Sequence, residues 1–119
     1  MVLVDTSVWV DHLRRGNPAL RQLLEAEQVV CHAFVLAELA CGNLHDRETV
    51  LTLLRALPQA PVAEEDEALH LIEARKLSGR GLGWVDVHLL ASALLLDGAF
   101  WTLDQRLQRA ARRLRLRTP

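Results

Sequence analysis

The sequence contains little cysteine. Cys31 and Cys41 are the only two cysteines, and they do not form a Cys-x-x-Cys pair. This spacing argues against a structural zinc site, and two cysteines are too few for a framework of disulfides. We therefore expect both to be small, buried, apolar residues.

Long hydrophobic runs are also missing. The longest, such as Leu89 to Leu96, fall far short of the ~20 residues that span a bilayer. The chain does not open with the basic, apolar and small-residue pattern of a secretory signal. We therefore expect a cytoplasmic protein with no membrane partner.

A large excess of either sign of charge is also missing, because the formal net charge is -1. Basic residues are nevertheless concentrated near the end, at Arg106, Arg109, Arg112, Arg113, Arg115 and Arg117. Arg106, Arg109 and Arg113 would share one helix face, where they are candidates for contacts with phosphates or with an acidic partner. The alternative is a solvated charged face.

What is present is the composition of a compact globular protein, with 50% hydrophobic and 24% charged residues. At 119 residues we expect a single domain, 1–119, that buries roughly two thirds of its unfolded surface. No internal repeat divides the chain.

The chain begins with an apolar stretch, Val2 to Val4, that shows no polar alternation and ends at Asp5. This pattern predicts a strand that is covered on both faces, as in the centre of a parallel sheet. A helix should follow at once, with Thr6 or Ser7 as its cap and Gly16 at its end.

Strands and helices then alternate along the chain. We predict further strands at 29–32, 60–62, 99–102 and 114–116, and helices that begin after Asn17, at Phe34, after Asp46, at Glu64, at Trp84 and at Gln105. Strands that alternate with helices imply βαβ units and an α/β fold with a central parallel sheet.

Four acidic residues stand out by their context. Asp5 and Asp104 directly follow strands, Asp86 opens a helix after a glycine-rich loop, and Glu38 is the one charge in an apolar helix. A right-handed parallel topology brings strand ends and helix starts to one edge of the sheet. We therefore expect these four carboxylates to converge there.

Each acid also has a simpler interpretation. Asp5 and Asp104 can cap the helices that follow them, and Asp86 can stabilise the positive end of a helix dipole. Glu38 can point outward at the edge of its apolar stripe.

A convergent arrangement would have chemical consequences. Carboxylates about 4 Å apart repel by ~4 kcal/mol at an effective dielectric of 20, so the cluster would require protons or a cation. Oxygen ligands favour Mg²⁺ or Mn²⁺, and such ions promote phosphodiester hydrolysis.

The same residues carry a family resemblance. The motifs in question are Asp5-Thr6-Ser7-Val8-Trp9, Glu38-Leu39 with a nearby glycine, Trp84-Val85-Asp86-x-x-Leu-Leu-Ala-Ser-Ala and Thr102-Leu103-Asp104. In this order they resemble a PIN domain and, more narrowly, the VapC-type toxins of toxin-antitoxin pairs. One departure is Trp84-Val85 before Asp86, where many relatives have a smaller residue just before the acid, and this bears on pocket shape.

The resemblance implies an α/β/α sandwich, Mg²⁺- or Mn²⁺-dependent endoribonuclease activity, a homodimer and a small antitoxin partner. Asp5, Glu38, Asp86 and Asp104 match the family's acidic positions, where they would act in catalysis and metal binding. Thr6, Ser7 and Thr102 match nearby hydroxyl positions. Apart from the resemblance, the arginines at 106, 109 and 113 are candidates for contacts with RNA or the antitoxin, with a solvated face as the alternative.

The remaining aromatic and ionisable residues are few. We expect Trp9 and Trp101 in the core, leave Trp84 open between core and base stacking, and assign no histidine a catalytic role. For the homodimer, we expect the first two helices to supply apolar surface, from Val8 to Leu13 and from Leu20 to Leu24.

Rival functions fit the sequence less well. A signalling receiver would need an acidic pair after the first strand and a lysine after the fifth, but Lys76 is the only lysine and lies within a helix. A haloacid-dehalogenase-like phosphatase would need Asp-x-Asp where this chain has Asp5-Thr6-Ser7. A non-catalytic PIN-fold module for protein interaction or RNA binding remains the alternative.

Overall fold

The computed structural model describes all residues, 1–119, as three short strands and seven helices. In chain order the elements are β1 (Val2–Val4), α1 (Thr6–Arg15), α2 (Pro18–Glu25), β2 (Val29–Val30), α3 (Ala33–Cys41), α4 (Arg47–Ala56), α5 (Glu65–Arg75), α6 (Trp84–Leu96), β3 (Ala99–Trp101) and α7 (Gln105–Arg113). No helix combines the length and apolarity needed to cross a membrane.

The sheet is parallel and has the order β2-β1-β3. Leu3, in the centre of β1, pairs with Val30 on one side and Phe100 on the other. All three residues of β1 are buried. Since successive side chains of a strand point to opposite faces, the sheet is covered on both faces. The predicted α/β architecture with a central parallel sheet is therefore confirmed.

The outer edges of the sheet are shorter than the sequence pattern predicted. The segment 60–62 is not a strand, and only Gln59 forms a parallel bridge, to Cys31. The Ala60 amide donates to the Cys31 carbonyl at 2.8 Å, but Pro61 has no amide hydrogen with which to extend the ladder.

The predicted final strand, 114–116, is also wrong. Leu114 ends α7, and Arg115 has a positive φ of 59° that turns the chain. Pairing then occurs only at Arg117, which bridges to Ala99.

Local signals at the helix ends mostly had the predicted effect. Asn17 caps α2 through the Leu20 amide, and Gly16 ends α1 at φ 78°. The side-chain cap of α1 is Asp5, rather than Thr6 or Ser7. The helix predicted after Asp46 begins at Arg47, but Asp46 has a left-handed backbone conformation and makes no side-chain capping bond to α4.

The core confirms part of what the composition predicted. Trp9 and Cys31 are buried, Trp101 is half-buried, and Cys41 is exposed, contrary to expectation. In α1 and α2, Val8 and Leu20 are buried within the chain and therefore do not form the free apolar surface expected of them.

Candidate active site

Asp5 lies where β1 meets α1 and is only 6% exposed. Its Oδ2 accepts hydrogen bonds from the hydroxyls of Ser7 and Thr102, each at 2.7 Å, and a longer one from the Ser7 amide at 3.4 Å. Its Oδ1 accepts none within the chain. One carboxylate oxygen is thus fixed by the protein while the other stays free.

The two hydroxyls also join the ends of β1 and β3. The Ser7 oxygen accepts from the Leu103 amide at 3.0 Å, and the Thr102 oxygen accepts from the Asp104 amide at 3.0 Å. Because each hydroxyl donates its single hydrogen to Asp5, the three side chains have defined orientations. Ser7 and Thr102 therefore lie beside Asp5, one of the acids near which they were predicted to lie.

Asp86 lies in the first turn of α6 and is half-buried. Burial raises the pKa of its carboxyl above the usual value, the bond from the Gly83 amide opposes this, and the charges of Asp5 and Asp104 raise the pKa further. The Gly83 amide donates to Oδ2 at 2.9 Å, and Oδ1 has no partner within the chain. Asp86 is therefore both a helix-end residue and a member of an acidic group.

Asp104 is the N-cap of α7. Its Oδ1 accepts from the amides of Arg106 at 2.8 Å and Leu107 at 3.3 Å. The Arg106 Nε lies 3.9 Å from the same oxygen and forms a partly exposed ion pair. Asp104 thus caps α7, as its simpler interpretation predicted. This cap uses only Oδ1, and Oδ2 accepts no hydrogen bond and is available to a ligand.

Glu38 is exposed on α3. The hydroxyl of Thr6, in the first turn of α1, donates to Oε1 at 2.6 Å. Both residues border a cleft of about 550 Å³, which Arg14 and His45 also line. Thr6 thereby links Glu38 to the helix that Asp5 begins.

The four acids come together only in part. Asp5, Asp86 and Asp104 interact electrostatically, whereas Glu38 is connected through Thr6. As the side chains stand, no three His, Cys, Asp or Glu residues are close enough to hold a metal ion together. The donor chemistry still fits a hard divalent cation, because each of the four carboxylates has one oxygen without a hydrogen bond.

Comparison with known proteins places these residues in a family. The model of the PIN domain family matches residues 2–113, which include all four acids. The chain is a PIN-domain protein. Ribonuclease VapC32 from strains CDC 1551 and H37Rv of Mycobacterium tuberculosis is 50% identical over 111 residues, covering 92% of this chain and 90% of the relative. Ribonuclease VapC19 from the same species is 34% identical over 117 residues, covering 89% and 90%.

The PIN domain also contains supporting residues that the sequence did not indicate. His32 caps α3, accepting from the Phe34 amide at its Nδ1, and its Nε2 lies 2.9 Å from the hydroxyl of Ser92 on α6. Phe34 packs edge-on against both His32 and His88, at ring-centre distances of 5.2 and 4.8 Å. These contacts hold the helix of Glu38 against the helix of Asp86.

Two further features of this PIN domain bear on the site. Trp84 is 43% exposed and packs against His88 with ring centres 4.5 Å apart, so it lies outside the core. Arg80, in the loop before α6, approaches the arginines of α7 around a shared cavity. A basic residue between two glycines just ahead of Asp86 is the signal that points to Arg80.

Proposed function

We propose that the protein is a metal-dependent endoribonuclease that acts as the toxin of a toxin-antitoxin pair. The observation that carries this proposal is the group formed by Asp5, Asp86 and Asp104, which come from three elements and each retain a free carboxylate oxygen. Membership of the PIN domain family, and relatives named as VapC ribonucleases, support it.

The acids would divide the work of binding one or more Mg²⁺ or Mn²⁺ ions. Asp5 and Asp86 are the direct ligands in this proposal, and Glu38 and Asp104 complete the shell or orient its waters. When bound, the cation supplies positive charge that activates water and stabilises the developing charge on phosphate.

The rest of the chain orients these carboxylates. Ser7 and Thr102 hold Asp5, and Thr6 holds Glu38. The amide of Gly83 plays the same part for Asp86. Because each acid already accepts a hydrogen bond at one oxygen, less side-chain conformational entropy would be lost when the other oxygen binds a cation.

A cleavage assay tests the proposal. Purified protein is incubated with single-stranded RNA and Mg²⁺, Mn²⁺ or EDTA, and Asp5→Asn and Asp66→Asn are compared with the wild type. We expect cleavage with either metal, none in EDTA, and loss of cleavage in Asp5→Asn, whose amide oxygen still accepts the bonds now made to Oδ2. Asp66 is an exposed acid in the first turn of α5 and serves as the control. Equal cleavage by wild type and Asp5→Asn would contradict the proposal.

The toxin role makes a prediction in the cell. Expression of the chain alone should slow growth of the host, and co-expression of a cognate antitoxin should restore it. Asp86→Asn should not slow growth, because it lacks one of the proposed metal ligands. Growth curves at matched protein levels provide the measurement, and a variant as toxic as the wild type would mean that the acidic site is not responsible.

A non-catalytic module is the second candidate. It is favoured by the bonds that Asp86 and Asp104 make at helix ends, which give both residues a structural role without any metal. RNA binding without cleavage under every metal condition would favour this candidate over the enzyme.

A further inference from the structure

Four arginines line one small cavity of about 80 Å³ beside the acidic group. Arg106, Arg109 and Arg113 project from one face of α7, and Arg80 reaches the same cavity from the loop before α6. The fifth lining residue is Ala110, so no acid borders the cavity. We call this feature the arginine cavity.

Two of the four arginine side chains are anchored to backbone carbonyls. The Arg80 Nε donates to the Lys76 carbonyl at 2.8 Å, and the Arg113 Nε donates to the Arg75 carbonyl at 3.2 Å. These bonds use one nitrogen of each guanidinium and leave the terminal nitrogens of both without a partner in the chain. The anchors thus oppose the tendency of like charges to separate.

The loop fits closely around Arg106. Gly81 has φ +76°, and a Cβ atom at that position would lie 2.9 Å from the Arg106 Cδ. A glycine is therefore needed both for the backbone conformation and for the approach of the arginine. This close fit brings the cationic end of Arg106 next to the loop that carries Arg80.

The positive charge of the arginine cavity is mostly uncompensated. Arg106 pairs with Asp104, but Arg80, Arg109 and Arg113 form no ion pair. Several guanidinium groups that face one space without a carboxylate favour the binding of an anion, and the planar fork of arginine matches phosphate oxygens well. The volume suits a phosphate group rather than a nucleotide.

We propose that the arginine cavity binds a backbone phosphate of the RNA strand, a few nucleotides from the phosphate held at the acidic group. Arg106 connects the two places, since its Nε lies 3.9 Å from the Asp104 carboxylate and its side chain lines the arginine cavity. The inference rests on the proposed ribonuclease function and adds the path of the substrate, which runs from Asp86 across Arg106 towards Arg109.

RNA binding in EDTA tests this path separately from cleavage. Fluorescence anisotropy of a labelled single-stranded RNA is measured over a range of salt concentrations for Arg109→Gln and Arg21→Gln. Arg109 makes no hydrogen bond or ion pair through its side chain, so its loss should not disturb the fold. Arg21 is an exposed arginine on α2, away from the arginine cavity, and gives the same change in net charge.

We expect Arg109→Gln to weaken binding roughly tenfold, as the loss of one charged hydrogen-bond contact would. The slope of log affinity against log salt should fall by about 0.7, the value for one phosphate contact on a single strand. Arg21→Gln should change neither quantity appreciably. A double variant, Arg109→Gln with Arg113→Gln, should lose more affinity than Arg109→Gln alone.

Three outcomes would overturn the inference. The first is equal RNA affinity in Arg109→Gln and Arg21→Gln, and the second is a wild type that does not bind RNA at low salt. The third is an Arg109→Gln variant that binds RNA normally but loses affinity for polyglutamate, which would assign the cavity to an acidic protein partner. Failure of the ribonuclease function itself would be seen separately, as absence of metal-dependent cleavage by the wild type.

Discussion

Asp86 shows how one side chain has both a structural and a chemical role. Its bond with the Gly83 amide stabilises the start of α6, while burial and the neighbouring Asp5 and Asp104 disfavour its charge. Replacement by asparagine keeps an oxygen for the Gly83 bond and removes the charge. Its effect on stability therefore measures the cost of the Asp86 charge, to which burial contributes most and the neighbouring acids contribute less.

We predict that Asp86→Asn unfolds at a higher temperature than the wild type in EDTA at pH 7. The gain should be on the order of 1 kcal/mol, because water screens a half-exposed group, and this corresponds to roughly 4 to 8 °C. The pKa of Asp86 in the folded state is raised from 3.8. The cost of its charge to the stability of the fold is therefore present above that raised pKa and disappears as the pH falls below 3.8.

Differential scanning fluorimetry checks this prediction at pH 7 and at pH 3, with and without Mg²⁺. Metal should stabilise the wild type more than the variant, which narrows the gap between them. Identical melting of the two proteins in EDTA at pH 7 would mean that the Asp86 charge does not destabilise the fold.

His32 provides a second effect at the residue scale. It is fully buried, and desolvation lowers its pKa to about 4, with a further contribution from the charge of His88. The unfolded chain takes up a proton near pH 6.5, whereas the folded chain does so only near pH 4. The contribution of His32 to the free energy of unfolding is therefore fully present above pH 6.5 and is lost as the pH falls towards 4.

We predict that the free energy of unfolding falls less steeply with decreasing pH in His32→Asn than in the wild type. His32 contributes a slope of up to ~1.4 kcal/mol per pH unit, and asparagine at this position can still cap α3. Some slope should remain, because burial also lowers the pKa of His88. Urea unfolding from pH 7 to pH 4 provides the measurement, with the exposed His70→Asn as control. Equal slopes for His32→Asn and the wild type would contradict the assignment.

At the scale of elements, the glycine-rich loop before α6 connects the acidic group with the arginine cavity. Gly79 and Gly81 both have positive φ, 72° and 76°. Space distinguishes them, because a Cβ at Gly79 meets nothing within 4 Å, whereas one at Gly81 would press on Arg106. The two positions form a matched pair for separating backbone strain from side-chain displacement.

We predict that Gly79→Ala and Gly81→Ala lose similar stability, about 1 kcal/mol each, from the left-handed backbone. Only Gly81→Ala should displace Arg106 and weaken RNA binding. Thermal melting and RNA anisotropy in EDTA are measured for both variants. If the two variants bind RNA equally well, the position of Arg106 over the loop does not matter for the substrate.

At the scale of the whole molecule, apolar surface remains uncovered beside α1 and α4. Leu13 and Leu53, which are 39% and 63% exposed, line one apolar cavity of about 320 Å³. Of the apolar residues expected to form a dimer surface, only Leu13 is exposed. The homodimer prediction therefore now depends on this patch of exposed apolar surface.

We predict that the protein forms a homodimer through this patch and that Leu53→Glu shifts it towards monomer. A charge buried in an apolar interface without a partner is strongly unfavourable. Light scattering at micromolar concentration gives the mass, and Val62→Glu, which is 49% exposed elsewhere, is the control. A monomeric wild type, or equal masses for both variants, would count against the patch.

The sequence by itself determined the order of strands and helices and the positions of Asp5 and Asp104 after strands, because apolar periodicity and caps act over a few residues. It also identified the family through four ordered motifs. Only the tertiary structure decided that Thr102 donates to Asp5 across 97 positions of the chain, that burial shifts the pKa of Asp86, and that Arg80 meets α7. The predicted strands at 60–62 and 114–116 do not form, because a short strand requires a partner backbone in register and pairing here is limited to the bridges at Gln59 and Arg117.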